Sequence, residues 1–195
     1  MRKIICLVVF VMVGFASSAQ NVNVEKPEVN RFRFSVIQFI NSSLQVEYER
    51  MVGENNSFII SPMIKYRDND TEEQFAVGVD FQYRFYVYHK DLAKHSKNIF
   101  FAPYSFYKHY SLEEEVWDYY HGDDHWYNES STFDVVGGGV VFGLQYVFAD
   151  RISVDAYVGG GLRKTIGYNG ESDYFMEAGN SGIVPKVGLN VGFSF

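Results

Sequence analysis

The sequence predicts an all-β fold, a closed antiparallel eight-stranded transmembrane β-barrel preceded by a cleavable signal peptide. Three observations carry this. The chain ends on a faultless alternation, Lys186-Val187-Gly188-Leu189-Asn190-Val191-Gly192-Phe193-Ser194-Phe195, apolar at odd positions and small or polar at even ones, the period of an extended strand. Seven further segments read as strands, for an even total. Past Phe15 no stretch is apolar for even a dozen positions, which excludes helical membrane spans.

The N-terminus begins Met1-Arg2-Lys3, continues as an apolar run from Ile4 to Phe15, and reaches Ala16-Ser17-Ser18-Ala19 before Gln20. This is a secretory signal, cleaved after Ala19. The expected organisation is signal peptide over residues 1–19, a short segment over 20–30 and a single barrel domain over 31–195. Cys6, the only cysteine, lies inside the apolar run, so the mature chain has no thiol. Disulfides, cysteine metal sites and cysteine catalysis are excluded. The net charge of −7, less Arg2 and Lys3, leaves −9 on the mature chain, which argues against nucleic acid as a partner.

The strongest upstream strand is Phe75 to Tyr88, with Phe75, Val77, Val79, Phe81, Tyr83, Phe85 and Val87 on one face and Ala76, Gly78, Asp80, Gln82 and Arg84 on the other. Ile152 to Tyr168 and Phe133 to Phe148 alternate in the same way. Weaker strands are expected at Phe32 to Phe39, Leu44 to Met51, Phe58 to Arg67 and Ile99 to Tyr110. Short connections at Gly53-Glu54-Asn55-Asn56, Asp91 to Asn98 and Ala149-Asp150-Arg151 alternate with long ones at Ser111 to Thr132 and Asn169 to Gly182, the pattern of short periplasmic turns and longer outer loops. Asn41-Ser42-Ser43 is a short exception among the outer ones.

Alternation alone does not say which face is inside. Volume decides, because an eight-stranded barrel has an interior only just wide enough for side chains, and the bulky apolar face is too large to fit there. The polar face carries Arg33, Lys65, Arg67, Arg84, Arg163 and Lys186 against Glu47, Glu49, Asp80 and Asp155. Charges so nearly balanced are able to neutralise one another in a narrow lumen, where unpaired charges are costly. The expectation is a plugged interior rather than an open pore. Tyr48, Tyr66, Tyr146 and Tyr168 stand at the ends of the apolar face, where amphipathic rings favour a membrane interface. The paired glycines Gly137-Gly138-Gly139 and Gly159-Gly160-Gly161 lie within strands, as relief for crowding rather than as phosphate loops.

The most unusual composition lies between Glu113 and Asp134, an expected extracellular loop, with strand extensions beyond the membrane, that holds Trp117, Tyr119, Tyr120, His121, Asp123, Asp124, His125, Trp126 and Tyr127. Its rings suit stacking on a glycan or a protein ligand. Its carboxylates and imidazoles are metal-ligand types, but their spacing fits no specific metal motif, and neither metal nor cofactor is expected.

On the signal end, the eight alternating strands and the terminal run to Phe195, the chain resembles the small barrels of the OmpA/OmpX-like superfamily, and more narrowly the outer-membrane barrel proteins in which a Tyr-Glu-Arg like Tyr48-Glu49-Arg50 closes an early strand. The resemblance implies residence in the outer membrane among its lipids, and the chain is expected to be a monomer. It also implies that the terminal aromatics Phe193 and Phe195 are read by the barrel-assembly machinery. His109, Ser111 and Glu113, at alternate positions, invite comparison with lipid A deacylases, which are similar barrels with a His-x-Ser element and a Glu. Parity places His109 and Ser111 with Ser105 and Tyr107 on the lumen side, whereas such a site should face the bilayer, so no enzyme is expected. The expected role is structural or surface-interacting, with a small-solute channel or a lipid A-modifying hydrolase as alternatives.

Overall fold

A computed structural model describes residues 30–69, 72–92, 95–120, 123–149, 151–167 and 181–195. The expected signal peptide and most of the segment after it lie outside these residues. Eight antiparallel strands, β1 (Asn30–Ser35), β2 (Ser43–Met51), β3 (Asn56–Asn69), β4 (Glu72–Leu92), β5 (His95–Tyr120), β6 (Asp123–Phe148), β7 (Ile152–Ile166) and β8 (Gly182–Ser194), pair in sequence order and close into a barrel. The seam is β1 against β8, where Phe32 lies opposite Phe193 and Phe34 opposite Val191. Asn30 and Phe195 exchange both backbone hydrogen bonds across it. At the seam closure leaves no free sheet edge, and β1 covers its neighbours from Asn190 to Ser194 on β8 and from Val46 to Arg50 on β2.

The end where β1 begins and β8 finishes is called basal here, and the opposite end distal. Strand lengths are very unequal, from 6 residues in β1 to 26 in β5 and β6. The rim is therefore cut obliquely at the distal end. Beyond Glu114 and Glu129, β5 and β6 pair only with each other, up to Tyr120 opposite Asp123. The strand extensions expected in this stretch are present, as a two-stranded continuation of the wall. At the basal end the β2–β3 turn reverses within four residues, with Gly53 at φ +83°, a conformation that costs a side chain strain.

The strand expected from Phe32 to Phe39 stops at Ser35, and Val36–Ile40 form a short helix, α1. The sequence holds the reason. Alternation fails at Val36-Ile37, and Val36, Phe39 and Ile40 fall at the i, i+3, i+4 spacing of a helical face.

The bulky apolar face is outside. Phe142, Val158, Leu162 and Ile183 are each more than 60% exposed, while Arg31 and Arg33 of β1, Glu47 and Glu49 of β2, and Asp80 and Arg84 of β4 are buried. On β6 the outward apolar series runs from Val136 to Phe148, about 40 Å along a strand and about 30 Å along the axis of a barrel with ordinary strand tilt.

β5 departs from the expected parity. Ile99, Phe101, Ser105, Tyr107, His109 and Ser111 point outward, and Phe100, Tyr104, Phe106 and Lys108 point inward. Aromatic residues crowd both faces of this strand, so alternation could not orient it. Its neighbour resolves the ambiguity, for Phe100 lies opposite Gly143 and Phe106 opposite Gly137. A Cβ at either glycine would overlap the facing ring. The same device recurs across β7 and β8, where Gly188 leaves room for the ring of Tyr157. The three strand prolines obey a related rule. Pro62 and Pro103 fall where the β2–β3 and β4–β5 ladders lapse, and Pro185 lies beyond the reach of β1.

Replacing Gly188 with Leu is expected to overpack the lumen against Tyr157 at a cost of about 1 to 3 kcal/mol. The check is the urea midpoint of the refolded protein, and an unchanged midpoint would mean that Tyr157 does not occupy the space above Gly188.

Candidate functional site

The lumen is layered, and each layer follows from which short strands bring which side chains inward. β1 contributes Arg31 and Arg33, β2 contributes Glu47 and Glu49, β4 contributes Arg84 and β7 contributes Asp155, all less than 10% exposed. Three cations meet three anions. Arg33 reaches Glu49 at 2.5 Å through Nη1, Glu47 at 3.2 Å through Nε and Asp155 at 3.6 Å. Arg84 Nη2 lies 2.6 Å from Asp155, and Arg31 Nη1 lies 3.1 Å from Glu49. The six formal charges cancel within the basal half of the barrel.

Glu49 is the hub. Besides both arginines its carboxylate accepts hydrogen bonds from Ser57 Oγ on β3 at 2.5 Å, from the Tyr86 hydroxyl on β4 and from Gln145 Nε2 on β6 at 3.1 Å. Asn98 on β5 donates to Gln145 Oε1 at 3.0 Å. Seven strands are thus tied across the lumen by one network. Each charge was removed from water at a cost of several kcal/mol, and only the full set of partners offsets that cost.

Above this floor lies an aromatic stratum of Phe100, Tyr104 and Tyr157 with Ala102 and Val141. Arg84 joins the two layers, its guanidinium 4.0 Å from the centroid of Phe100. Lys186 and Asp80 form a separate pair at 2.5 Å, with the ammonium 4.1 Å from the Tyr104 centroid. Distal to them a cavity of about 230 Å³ opens among Asp80, Tyr104, Phe106, Lys108, Arg163 and Lys186. The charges read from the sequence therefore divide into three groups. Arg33, Glu47, Glu49, Arg84 and Asp155 form the floor, Asp80, Arg163 and Lys186 line the cavity, and Lys65 is half-buried and Arg67 exposed.

Several partners were not picked out in the sequence. Arg31 shares the parity of Arg33 and Gln145 sits on a polar face already read, so extending the alternation by one step at each would have included them. Tyr86 likewise shares the parity of Arg84, whereas Asn98 and Ser57 carry no such signal. Lys108 was hidden by the mis-oriented β5.

Outside the barrel, His109 lies directly opposite Asp134 across β5 and β6. Its Nδ1 is 2.8 Å from Asp134 Oδ1, which also accepts a hydrogen bond from Tyr107 at 2.8 Å. Ser111 shares this outward face. Of the aromatic stretch, the backbones of Trp117, Tyr119, Tyr120, Asp123, Asp124, His125, Trp126 and Tyr127 lie in β5 and β6. Their side chains, and His121 altogether, lie outside the described residues. Among the described residues no group of three potential metal ligands occurs.

Replacing Glu49 with Gln leaves two buried arginines facing a neutral amide and is expected to cost about 3 to 5 kcal/mol. The exposed control Arg67→Gln should stay within about 0.5 kcal/mol. Urea unfolding of vesicle-inserted protein measures both, and equal effects would deny the floor its role in stability.

No curated protein matches the chain. Among solved structures it is similar to the N-terminal β-barrel domain of Pseudomonas aeruginosa OprF, at 12% identity and a TM-score of 0.34, over 86% of this chain and 95% of that one. It is also similar to Ail, the attachment invasion locus protein of Yersinia pestis, at 11% identity and a TM-score of 0.36, with the same coverage of each. These are likenesses of outline, and neither bears on function. The family model described as protein of unknown function (DUF3575) matches residues 5–193, and the chain belongs to that family.

Proposed function

We propose that this protein is an integral outer-membrane barrel with a sealed lumen, serving a structural or surface-interaction role through the extension of β5 and β6. One observation carries the reading: an outward apolar face surrounds an interior floored by a buried, charge-neutral network. In water such an exterior is an aggregation surface, and in a bilayer it is a solvation surface. Tyr48 and Tyr146 toward the basal end and Tyr66 toward the distal end suit the two interfaces of that bilayer. Delivery by the barrel-assembly machinery through Phe193 and Phe195, life as a monomer and a glycan or protein ligand on the aromatic extension complete the proposal.

A sealed floor predicts no steady ohmic conductance in planar bilayers, and channels of that kind from the unaltered protein would sink the reading. The folded protein should need detergent and change its gel mobility on heating. Leu189→Arg should cost about 2 to 4 kcal/mol, as a cation placed against lipid near the midplane.

A second reading gains from the outward turn of His109 and Ser111. Asp134 orients the imidazole as the carboxylate of a hydrolytic triad does, on the bilayer face where a lipid-modifying site belongs. Among the described residues no hydrogen bond joins Ser111 to His109, and no oxyanion donors can be named. Mass spectrometry of lipid A decides it. Loss of acyl chains on expression, abolished by Ser111→Ala, would establish the enzyme, and unaltered lipid A retires it.

A further inference from the structure

The outward wall changes character at the basal end of β4 and β5. The register places Tyr86 opposite Phe100 and Tyr88 opposite Ile99, so Val87 is an extra residue without a partner on β5. A bulge of this kind re-aims the side chains that follow it. Tyr86 points into the lumen, yet Tyr88 and Lys90 point outward beside Ile99 and Lys97. His89 is turned inward instead, its Nδ1 2.5 Å from Asn98 Oδ1. Without the extra residue Lys90 would share the inward face of Arg84.

The bulge thus sets Lys90 directly opposite Lys97, and both are exposed. Like charges so placed repel one another at a cost to the sheet, which an anion held between them offsets. Neither lysine makes an ion pair among the described residues. The outward residues from Phe75 to Lys90 on β4, from His95 to Ser111 on β5 and from Val136 to Phe148 on β6 include no carboxylate. Beside the lysines the wall is aromatic. Tyr146 lies opposite Lys97, with the ring of His95 6.2 Å from its own. One step distal, Ile99 and Leu144 lie opposite each other and are 38% and 51% exposed.

The distal rim of the same face has the other sign, for Asp68 lies opposite Glu73 and Glu73 opposite Glu113. From Glu73 to Lys90 is about 55 Å of strand, or about 40 Å along the axis of a barrel with ordinary tilt. A bilayer with its head groups is about 40 to 45 Å thick. With the acidic row at the head groups of one leaflet, Lys90 and Lys97 stand at the head groups of the other.

We propose that Lys90 and Lys97 form a docking site for one phospholipid of net negative charge in the basal leaflet. Its phosphate takes charge-assisted hydrogen bonds from both ammonium groups, and its acyl chains run distally over Ile99 and Leu144. The acidic distal row repels the same head group, so the wall distinguishes the two leaflets. This rests on the membrane reading, since only a bilayer gives the two rows their separate heights a meaning.

Native mass spectrometry of the full barrel in a neutral detergent tests it, with phosphatidylglycerol and phosphatidylcholine of the same acyl chains offered in equal amounts. One retained phosphatidylglycerol is expected, preferred by about thirtyfold, or about fivefold for each ammonium near an anionic head group. Lys90→Gln with Lys97→Gln should abolish the preference, and Lys90→Arg with Lys97→Arg should keep it. Arg67→Gln with Lys164→Gln removes the same charge from exposed positions toward the distal rim and should change nothing. Equal retention of the two lipids by the unaltered barrel overturns the site. A preference lost equally in the distal pair reduces it to net charge, and displacement of the lipid by excess glycerol phosphate reduces it to a free-anion site. Heat-modified gel mobility shows that each variant is folded. A heat-modifiable barrel that ignores phosphatidylglycerol overturns this inference alone, whereas a protein soluble without detergent overturns the membrane reading with it.

Discussion

Eight strands enclose a space that side chains from opposite walls must share, and that narrowness is the constraint from which the rest follows. Two arginines on the shortest strand cannot sit there unless carboxylates from its neighbours and from the far wall meet them. Glu47, Glu49 and Asp155 do so, and the count of charges closes at zero. Rings fit only where the facing position has no side chain, which explains the placement of Gly137, Gly143 and Gly188 against Phe106, Phe100 and Tyr157. Apolar bulk with no room inside is left facing outward. The exterior is thus as much a product of the small bore as the interior is.

Legibility in the sequence tracks this constraint. Where a strand has one bulky and one small or polar face, as in β4, β7 and β8, alternation fixes both its existence and its orientation. β5 defeated that method because Phe100, Tyr104 and Phe106 on one face match Ile99, Phe101 and Tyr107 on the other. The missing information was non-local, in glycines of β6 some thirty to forty residues away. The charges of the floor were visible as a set, since charge on a strand face that is glycine-rich has few places to go. Their division into a floor and a distal group was not, because it depends on how strands of unequal length are staggered around the ring. Helix α1 carried a legible signal in the i, i+3, i+4 spacing of Val36, Phe39 and Ile40 that a reader committed to period two passes over.

The shortness of β1 sets how far the ring is paired all round. It is long enough to place Arg31 and Arg33 and to close the seam, and it stops as soon as that is done. Above it, among the described residues, β8 has β7 on one side and helix α1 in place of a strand on the other.

The oblique rim has a consequence of a different kind. The upper reaches of β5 and β6 pair with nothing but each other, so no hydrogen bond of the ring and no member of the ionic floor depends on them. Such a ribbon is free to lengthen, shorten or change its residues without disturbing the paired ring or its ionic floor, and the entropic cost of added length is small. The ribbon and the paired ring are therefore separate inheritances in this chain, and selection can rewrite the first while leaving the second untouched.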